Sequence, residues 1–595
     1  MDFFDMRLLS FIGIKKVPDA PWKKYYKPED MKYIVPNDNI YQFLVNKIKI
    51  GKYENKTAIN YYNKKITYQE FLNRIDEVAS KFKKIGIKRY EVVTIISANI
   101  PEALISFYAL NKIGAVVNLL HPLLSENEIK DALNMYHTKH LLAMDITIEK
   151  INNIINKTKV SKVIILSPGT SMKKIKKFIY KIVSFNSRYH GLLNSKFMSW
   201  KEFLRINGSI KNEIIKFKKD DPALILQSGG TTGTPKGIVL SNGNINAATI
   251  SALKAYPDLN QKDVILGIMP IFHGFGLEVS INDAFCVGAE VVLIPTFKSR
   301  KFDELLRKYR PTVLVGVPTL FEALTTNKNT DDLNLSNLKY VISGGDTLNK
   351  ERVININRFL FNHGSRTNMI QGYGLTEAVA AVSVDLKGAS RPGTIGIPWP
   401  GIYIKIFEPN TEKAVPYNTD GEICVCGPVV MLGYYNNEAE TNNILKFHKD
   451  GNIWLHTGDI GSMDEDGFIT YKQRLKRMII SSGYNVYPSQ IEEVLMQHKA
   501  VLTVSVIGIP HPYKQEVAKA YIVLNKGYYK SEKLINELKD LCSKNLAHYA
   551  IPKEFEFRSS LPKTIVGKID FTKLQKENIE EEQWKRKFWY LLFYY

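Results

Sequence analysis

The sequence predicts an α/β fold: a large N-terminal region of two parallel-sheet α/β subdomains plus a β-rich subdomain, followed by a small, mobile α+β C-terminal domain. Three observations carry this. Short apolar runs alternate with helical patterns through residues 56–166, the alternation returns after residue 221, and near residue 390 it gives way to short strands punctuated by Gly and Pro. Strands alternating with helices of this length argue for parallel sheets, because a parallel connection needs a crossover. At 595 residues the chain also exceeds what one hydrophobic core organises.

Taken in order, VVTIISAN (92–99) reads as a buried strand and PEALISFYALNKIGA (101–115) as the helix after it. AVVNLLHP, HLLAMD and KVIILSPG are further strands. SMKKIKKFIYKIVSF (171–185) places Ile175, Phe178, Ile179, Ile182 and Val183 on one helical face, with Lys173, Lys174, Lys177 and Lys181 largely elsewhere. Such a basic amphipathic helix suits an anionic membrane surface, or it packs on the body as a surface helix; both readings stand. After Ala223–Leu226, the runs VILGIMP, EVVLIP, TVLVGVP and YVISGG repeat the strand pattern.

GTIGIPWPGIYIKIFEPN, GEICVCGP and GFITYKQR then form the β-rich subdomain, and QRLKR (473–477) marks a boundary. Beyond it, helix-like IEEVLMQH, strands TVSVIGIP and AKAYIVLN, and a helix with Leu534, Leu538 and Leu541 on one face make a compact unit. The expected division is 20–472, a boundary at 473–477, a compact α+β domain at 478–575 and a basic, aromatic tail at 576–595. The last stretch, WKRKFWYLLFYY (584–595), suits either an interfacial anchor or a cap on the last domain.

Composition excludes several classes. With 45% hydrophobic and 24% charged residues the chain is globular and not disordered. The net charge of +22 is spread along the whole length, and no zinc knuckle, helix-turn-helix or RNP-type signature accompanies it, so nucleic acid is not the expected partner. Four cysteines (Cys286, Cys424, Cys426 and Cys542) make no disulfide framework in a chain this long, which fits a reducing cytoplasm. Cys424 and Cys426 point the same way along a strand, but no other Cys or His cluster in the sequence completes a metal site. Asp2 and Asp5 stand where a secretory signal would be basic, and no apolar run reaches about 18 residues. The expected location is cytoplasmic, with peripheral contact at the inner face of the membrane through 171–185 and 584–595 as an option. Oligomeric state is open, a homodimer included.

The chemistry begins with LQSGGTTGTPKG (226–237). Backbone N–H groups of a Gly-rich loop approach phosphate closely because no Cβ intervenes, and Thr231, Thr232 and Lys236 add donors and charge. It is not a Walker A loop, since Pro precedes Lys236 and Gly follows it. A second lysine, Lys568 in PKTIVGKI, lies more than three hundred residues away, which suggests a triphosphate site assembled from both ends of the chain. A carboxylate attacking the α-phosphate of ATP needs cations, a metal for the pyrophosphate and a dry pocket. Between the two lysines the parts follow in order. His273 in FHGFG is a donor, and QGYGLTE supplies Tyr373, Thr376 and a carboxylate, Glu377, able to hold Mg²⁺. Asp459 in HTGD can accept hydrogen bonds from ribose hydroxyls, with Arg474 following near the boundary.

These motifs, with GVPTLFEAL, SGGDTL, GEICVCGPVVMLGY, WLHTGDIG and RMIISSGYNVYPSQIEE, resemble the adenylate-forming superfamily over roughly residues 20–580, and bacterial long-chain fatty acyl-CoA synthetases most of all. The resemblance implies ATP, Mg²⁺ and coenzyme A as co-substrates and cofactor. It implies that Gly229, Gly230, Thr231, Thr232, Gly233 and Lys236 hold the β- and γ-phosphates, with Thr231 also near the metal. Gly344, Gly345 and Tyr373 would frame adenine, Thr376 would sit near the α-phosphate, Glu377 on Mg²⁺, and Asp459 with Arg474 on ribose. Lys568 would bridge carboxylate and α-phosphate, and His273 would line the carboxylate's approach. The resemblance makes the 473–477 boundary a hinge and the 478–575 domain a lid. Lys476 would be the hinge about which the lid turns to present Gly483 and Tyr484 to coenzyme A.

Three departures stand out: GGTTG in the loop, Arg477 at a commonly acidic place beside the hinge, and DFTK after PKTIVGKI where an arginine is common. FHGFG lacks the Asp expected of an amino-acid adenylating domain, Glu278 reads as facing elsewhere, and Gly274 and Gly276 leave room for a chain. A medium- or long-chain fatty acid is therefore the expected substrate. An aryl acid, or transfer to a carrier protein, is the alternative.

Overall fold

Strands that are apolar at every position must be covered on both faces, which demands helices above and below the sheet. Val116–Leu120 and His140–Met144 are buried throughout, and the helices Tyr68–Lys84 and Pro101–Lys112 pack together beside them. Thr67 and Glu70 close the N-terminus of the first helix by a reciprocal capping box. The computed structural model describes residues 18–183, 195–208, 216–227, 236–327, 329–346, 350–386, 388–481, 484–511, 513–563 and 569–594.

Two large sheets form the N-terminal body. One has eight strands, with a parallel run from Pro222–Gln227 through Val116–Leu120, Val92–Ile96, His140–Met144 and Lys162–Leu166 to Phe197–Ser199. The other has nine, parallel from Met369–Gly374 through Tyr340–Ser343, Val313–Gly316, Val264–Gly267 and Glu290–Leu293 to Thr57–Tyr61, with antiparallel strands at both edges. The two halves read along the sequence are thus interleaved. Thr57–Tyr61 joins the later sheet and Pro222–Gln227 the earlier one.

Tyr403–Phe407, Gly421–Cys426, Ile453–Met463, Leu445–Phe447 and Ile469–Arg474 build a separate antiparallel sheet, the β-rich subdomain. The C-terminal unit has its own five-stranded sheet, centred on the long hairpin Val501–His511 and Gln515–Leu524. Ile491, Leu495, Leu534 and Leu538 fill a core there, distinct from that of the body. The final helix, Phe571–Tyr594, runs unbroken across residue 576, and buried Asn578 accepts a hydrogen bond from Lys519 at 2.9 Å. The expected tail therefore starts inside a helix that the C-terminal sheet already holds.

Candidate active site

In parallel sheets ligands bind beyond the carboxyl ends of the strands, where the chain turns away. A cavity of about 3480 Å³ opens there, lined by Val317, Gly344, Gly345 and Tyr373 from the nine-stranded sheet and by Asp459 and Arg474 from the small one. Gly345 has φ +81°, a conformation a side chain would strain.

Strand register fixes the Asp459 side of the cavity. Ile453–Met463 pairs antiparallel with Ile469–Arg474 so that Asp459 lies opposite Arg474. Arg474 Nε is 2.9 Å from Asp459 Oδ1, and Tyr373 donates its hydroxyl to Oδ2 at 2.6 Å. Thr457 Oγ1 accepts the Asp459 N–H at 3.0 Å, and Arg474 Nη1 donates to the Thr457 carbonyl at 3.2 Å. Burial, then the Asp459 charge, lifts the Tyr373 phenol well above its ordinary range, so it stays a donor. Each carboxylate oxygen retains a second lone pair, which suits Asp459 to accept further hydroxyls.

The Lys236 side is arranged differently. Residues 229–233 of the Gly-rich loop lie outside the described residues. Lys236, which follows them, forms an ion pair with Glu440 and sits 5.1 Å from the centre of the Tyr434 ring. Tyr434 donates its hydroxyl to Glu377 Oε1 at 2.9 Å. The Lys236 contact, with Lys476 adding its charge, holds the Glu440 carboxyl below its usual range. Sequence reasoning assigned no role to Tyr434 or Glu440. Tyr434 comes to Lys236 because Gly433–Tyr434 pairs with Gly237–Ser241 across nearly two hundred residues, a contact that no local signal announces. Glu377, Thr376 and His273 all line the cavity. Glu377, oriented by Tyr434 and offering a hard carboxylate oxygen, fits a magnesium ion that takes its other ligands from phosphates and water.

The FHGFG segment corrects one expectation. A Cβ on Gly274 would stand 1.9 Å from the Val379 carbonyl oxygen, and one on Gly276 would stand 2.1 Å from that of Pro270. Backbone already fills the Cβ positions of these glycines, so they serve close packing and are not themselves a sign of space for a chain, although His273 and Gly274 line the cavity. Val379 itself holds φ +69°, unusual for a β-branched residue, directly after the Thr376–Ala378 turn. Glu278 is buried, accepting the Thr249 hydroxyl at 2.6 Å, and is absent from the cavity wall among the described residues.

Residues 47–435 match the family described as AMP-binding enzyme, and residues 490–568 match its C-terminal domain. The chain belongs to the AMP-binding enzyme family. A long-chain-fatty-acid–CoA ligase of Bacillus subtilis is 33% identical over 94% of this chain and 98% of its own length. A protein of Dictyostelium discoideum named probable 4-coumarate–CoA ligase 1 is 31% identical over 85% of this chain and 90% of its own. The crystal structure of ATP-bound MatB from Rhodopseudomonas palustris superposes with a TM-score of 0.78 at 25% identity, covering 91% of this chain and 99% of that one.

Within this AMP-binding enzyme, Lys476 is exposed in the short Leu475–Arg477 turn that follows the ribose-side strand. Arg477 turns to the C-terminal unit. It pairs with Glu492, donates to the Val506 carbonyl at 3.3 Å, and lies 5.0 Å over the Phe571 ring. Lys568 and Gly483 lie outside the described residues, and of Tyr484 only the backbone is described, paired with Ser481. Lys563 and Ile569, which bracket Lys568, bridge one another and line the same cavity as Asp459.

The structure also gathers what the sequence leaves scattered around Cys424. Glu422, Cys424 and His456 bring potential ligand atoms within 4.8 Å of one another. His456 Nδ1 lies 2.8 Å from Glu422 Oε2 and its Nε2 lies 3.0 Å from His448 Nε2. Glu422 Oε1 also accepts the Gly458 N–H at 2.9 Å. The group thus braces the turn that carries Asp459. Burial, then the neighbouring His456, pushes the His448 imidazole below its ordinary range. All four cysteines are buried and free.

Proposed function

We propose that the protein activates a medium- or long-chain fatty acid with ATP, giving acyl-adenylate and pyrophosphate, and then transfers the acyl group to coenzyme A with release of AMP. One observation supports this above the others. The prebuilt Tyr373–Asp459–Arg474 set, Lys236 and the Lys563 and Ile569 ends of the Lys568 loop share a single cavity, whose remaining wall includes Ile265, Val279 and Val313.

In the first step a carboxylate oxygen attacks the α-phosphorus and the bond to the β-phosphate oxygen breaks. Asp459 and Arg474 hold the ribose, Gly344, Gly345 and Tyr373 the base, and Lys236 with the 229–233 loop the leaving pyrophosphate. Lys568 neutralises the two anions that must meet, and Thr376 lies beside the α-phosphate. Glu377 and Thr231 would hold magnesium, which when bound would supply charge neutralisation at the phosphates. His273 lines the carboxylate's path. In the second step the coenzyme A sulfur attacks the acyl carbonyl and the bond to AMP breaks. Turning about Lys476 withdraws Lys568 and brings Gly483 and Tyr484 to the thiol's channel.

The likeness to a protein named for 4-coumarate favours one second reading, an aryl acid–CoA ligase. Pyrophosphate release and AMP formation, measured over short, medium, long and aryl acids with and without coenzyme A, separate the two. Adenylation of fatty acids without coenzyme A, and thioester only with it, is the expected result. Turnover of aryl acids alone moves the assignment to the second reading, and no adenylation of any acid overturns both.

A further inference from the structure

The Lys174–Val183 helix lies with its apolar stripe turned outward. Ile175 is 77% exposed, Phe178 65% and Ile179 53%, at the i, i+3, i+4 spacing that makes one continuous patch. A surface helix normally buries that stripe and exposes its polar side. Here the stripe is exposed together with most of the lysines, and the contacts show how. Tyr180 faces the body and donates its hydroxyl to Asp145 at 3.0 Å, its ring seated over Gly169, where a Cβ would come within 2.8 Å. The Lys176 ammonium lies 5.0 Å from the centre of the Tyr62 ring. Just before the helix, Met172 is buried and Ser171 donates to Glu102 at 2.6 Å. The helix is therefore docked by its aromatic and polar side.

Cations surround the exposed stripe. Lys173, Lys174 and Lys176 are exposed and Lys177 half-buried. Lys308 stands close enough to Lys176, and Lys177 and Arg74 close enough to Lys64, to repel it. Partial burial first, and these like charges second, hold the Lys64 and Lys176 ammonium groups below their ordinary range. Crowding like charges costs free energy in solution that an anionic surface relieves. Apolar residues ringed by lysines match a lipid bilayer, where the stripe enters the acyl boundary and the lysines meet headgroup phosphates. A nucleic acid would offer the phosphates without an apolar layer to receive Ile175, Phe178 and Ile179. Among the described residues no helix is long and apolar enough to cross a membrane, so the contact is interfacial.

We propose that the exposed Ile175–Phe178–Ile179 stripe and its lysines dock the enzyme on an anionic membrane surface. This goes beyond the proposed reaction and holds whichever acid the cavity takes. The test is flotation of the whole protein with phosphatidylcholine vesicles, with and without phosphatidylglycerol, at low and raised salt. Wild type is expected to float only with the anionic vesicles and to detach as salt rises. The combined variant Ile175→Ser, Phe178→Ser, Ile179→Ser is expected to bind at least tenfold more weakly, since each large apolar side chain contributes roughly tenfold on burial. The variant Lys173→Glu, Lys174→Glu, Lys176→Glu is expected to abolish the preference for anionic lipid. Unchanged pyrophosphate release on a soluble acid confirms that both variants fold. Equal flotation of wild type and variants, or none at all, overturns the proposal. So does concentration-dependent dimerisation in lipid-free solution that the Ser variant abolishes, which would make the stripe a contact between copies.

Discussion

At one end of the cavity, Asp459 is nearly inaccessible and held by strand register, by the Tyr373 hydroxyl and by Arg474. At the other end, Lys236 rests on Glu440, an ion pair whose side chains are 24% and 40% exposed. The first arrangement is fixed by the fold itself. The second would have to open in the proposed reaction, where Lys236 exchanges that carboxylate for phosphate. On the proposed reading the contrast is between a prebuilt contact set at one end and an exchangeable ion pair at the other.

Four substitutions break or sharpen this contrast. The largest effect belongs to Lys568→Ala, which should lower acyl-adenylate formation by about 10²–10³-fold, the scale of losing one electrostatic stabiliser of a transition state. Conversion of supplied acyl-adenylate to thioester should remain, and equal failure of both half-reactions in single-turnover assays would contradict the exchange of roles about Lys476. Next, Asp459→Ala strips the rigid end and leaves Tyr373 and Arg474 facing each other without an acceptor. A hydrogen-bonded charge of this kind is worth about 1.5–3 kcal/mol per contact, so kcat/KM for ATP should fall by about 10²-fold or more.

Glu440→Gln acts in the opposite direction. It releases Lys236 from an exposed ion pair worth at most about 1 kcal/mol, so KM for ATP should fall by about two- to fivefold with kcat unchanged. A rise in KM would mean that Glu440 positions Lys236 for phosphate and does not compete with it. The smallest effect calibrates the scaffold away from both ends. Burial raises the Glu102 carboxyl to about 7, partly offset by the Ser171 hydrogen bond. The folded state then holds a proton that the unfolded chain loses near 4.5, so stability falls as pH rises from there to about 7 and levels off above. The loss is on the order of 3 kcal/mol. Glu102→Gln should flatten that part of the slope in thermal unfolding measured from pH 4.5 to 8, with ATP kinetics unaltered.

Local pattern made much of the fold legible. The runs at 92–99, 264–270, 312–318 and 340–345 contain the strands Val92–Ile96, Val264–Gly267, Val313–Gly316 and Tyr340–Ser343, and the last three end at or just before a Gly. The motif residues His273, Tyr373, Thr376, Glu377, Asp459 and Arg474 do converge on one cavity. Partners across long loops were not legible. Nothing near Lys236 in sequence points to Glu440, and nothing near Cys424 points to His456, which joins it through strand pairing. Gly274 and Gly276 misled because a glycine signals close approach without saying whether a ligand or another carbonyl approaches.

The sequence by itself determined where strands and helices form and which side chains can do phosphate and ribose chemistry, because periodicity, turn residues and functional groups are local properties. The tertiary structure alone decided which sheet receives Thr57–Tyr61, what Lys236 and Arg477 pair with, and which way the 174–183 helix turns. Those outcomes depend on competition between distant surfaces for the same burial. On the helix, Tyr180 and Asp145 won the body-facing side, and three large apolar residues were left pointing outward.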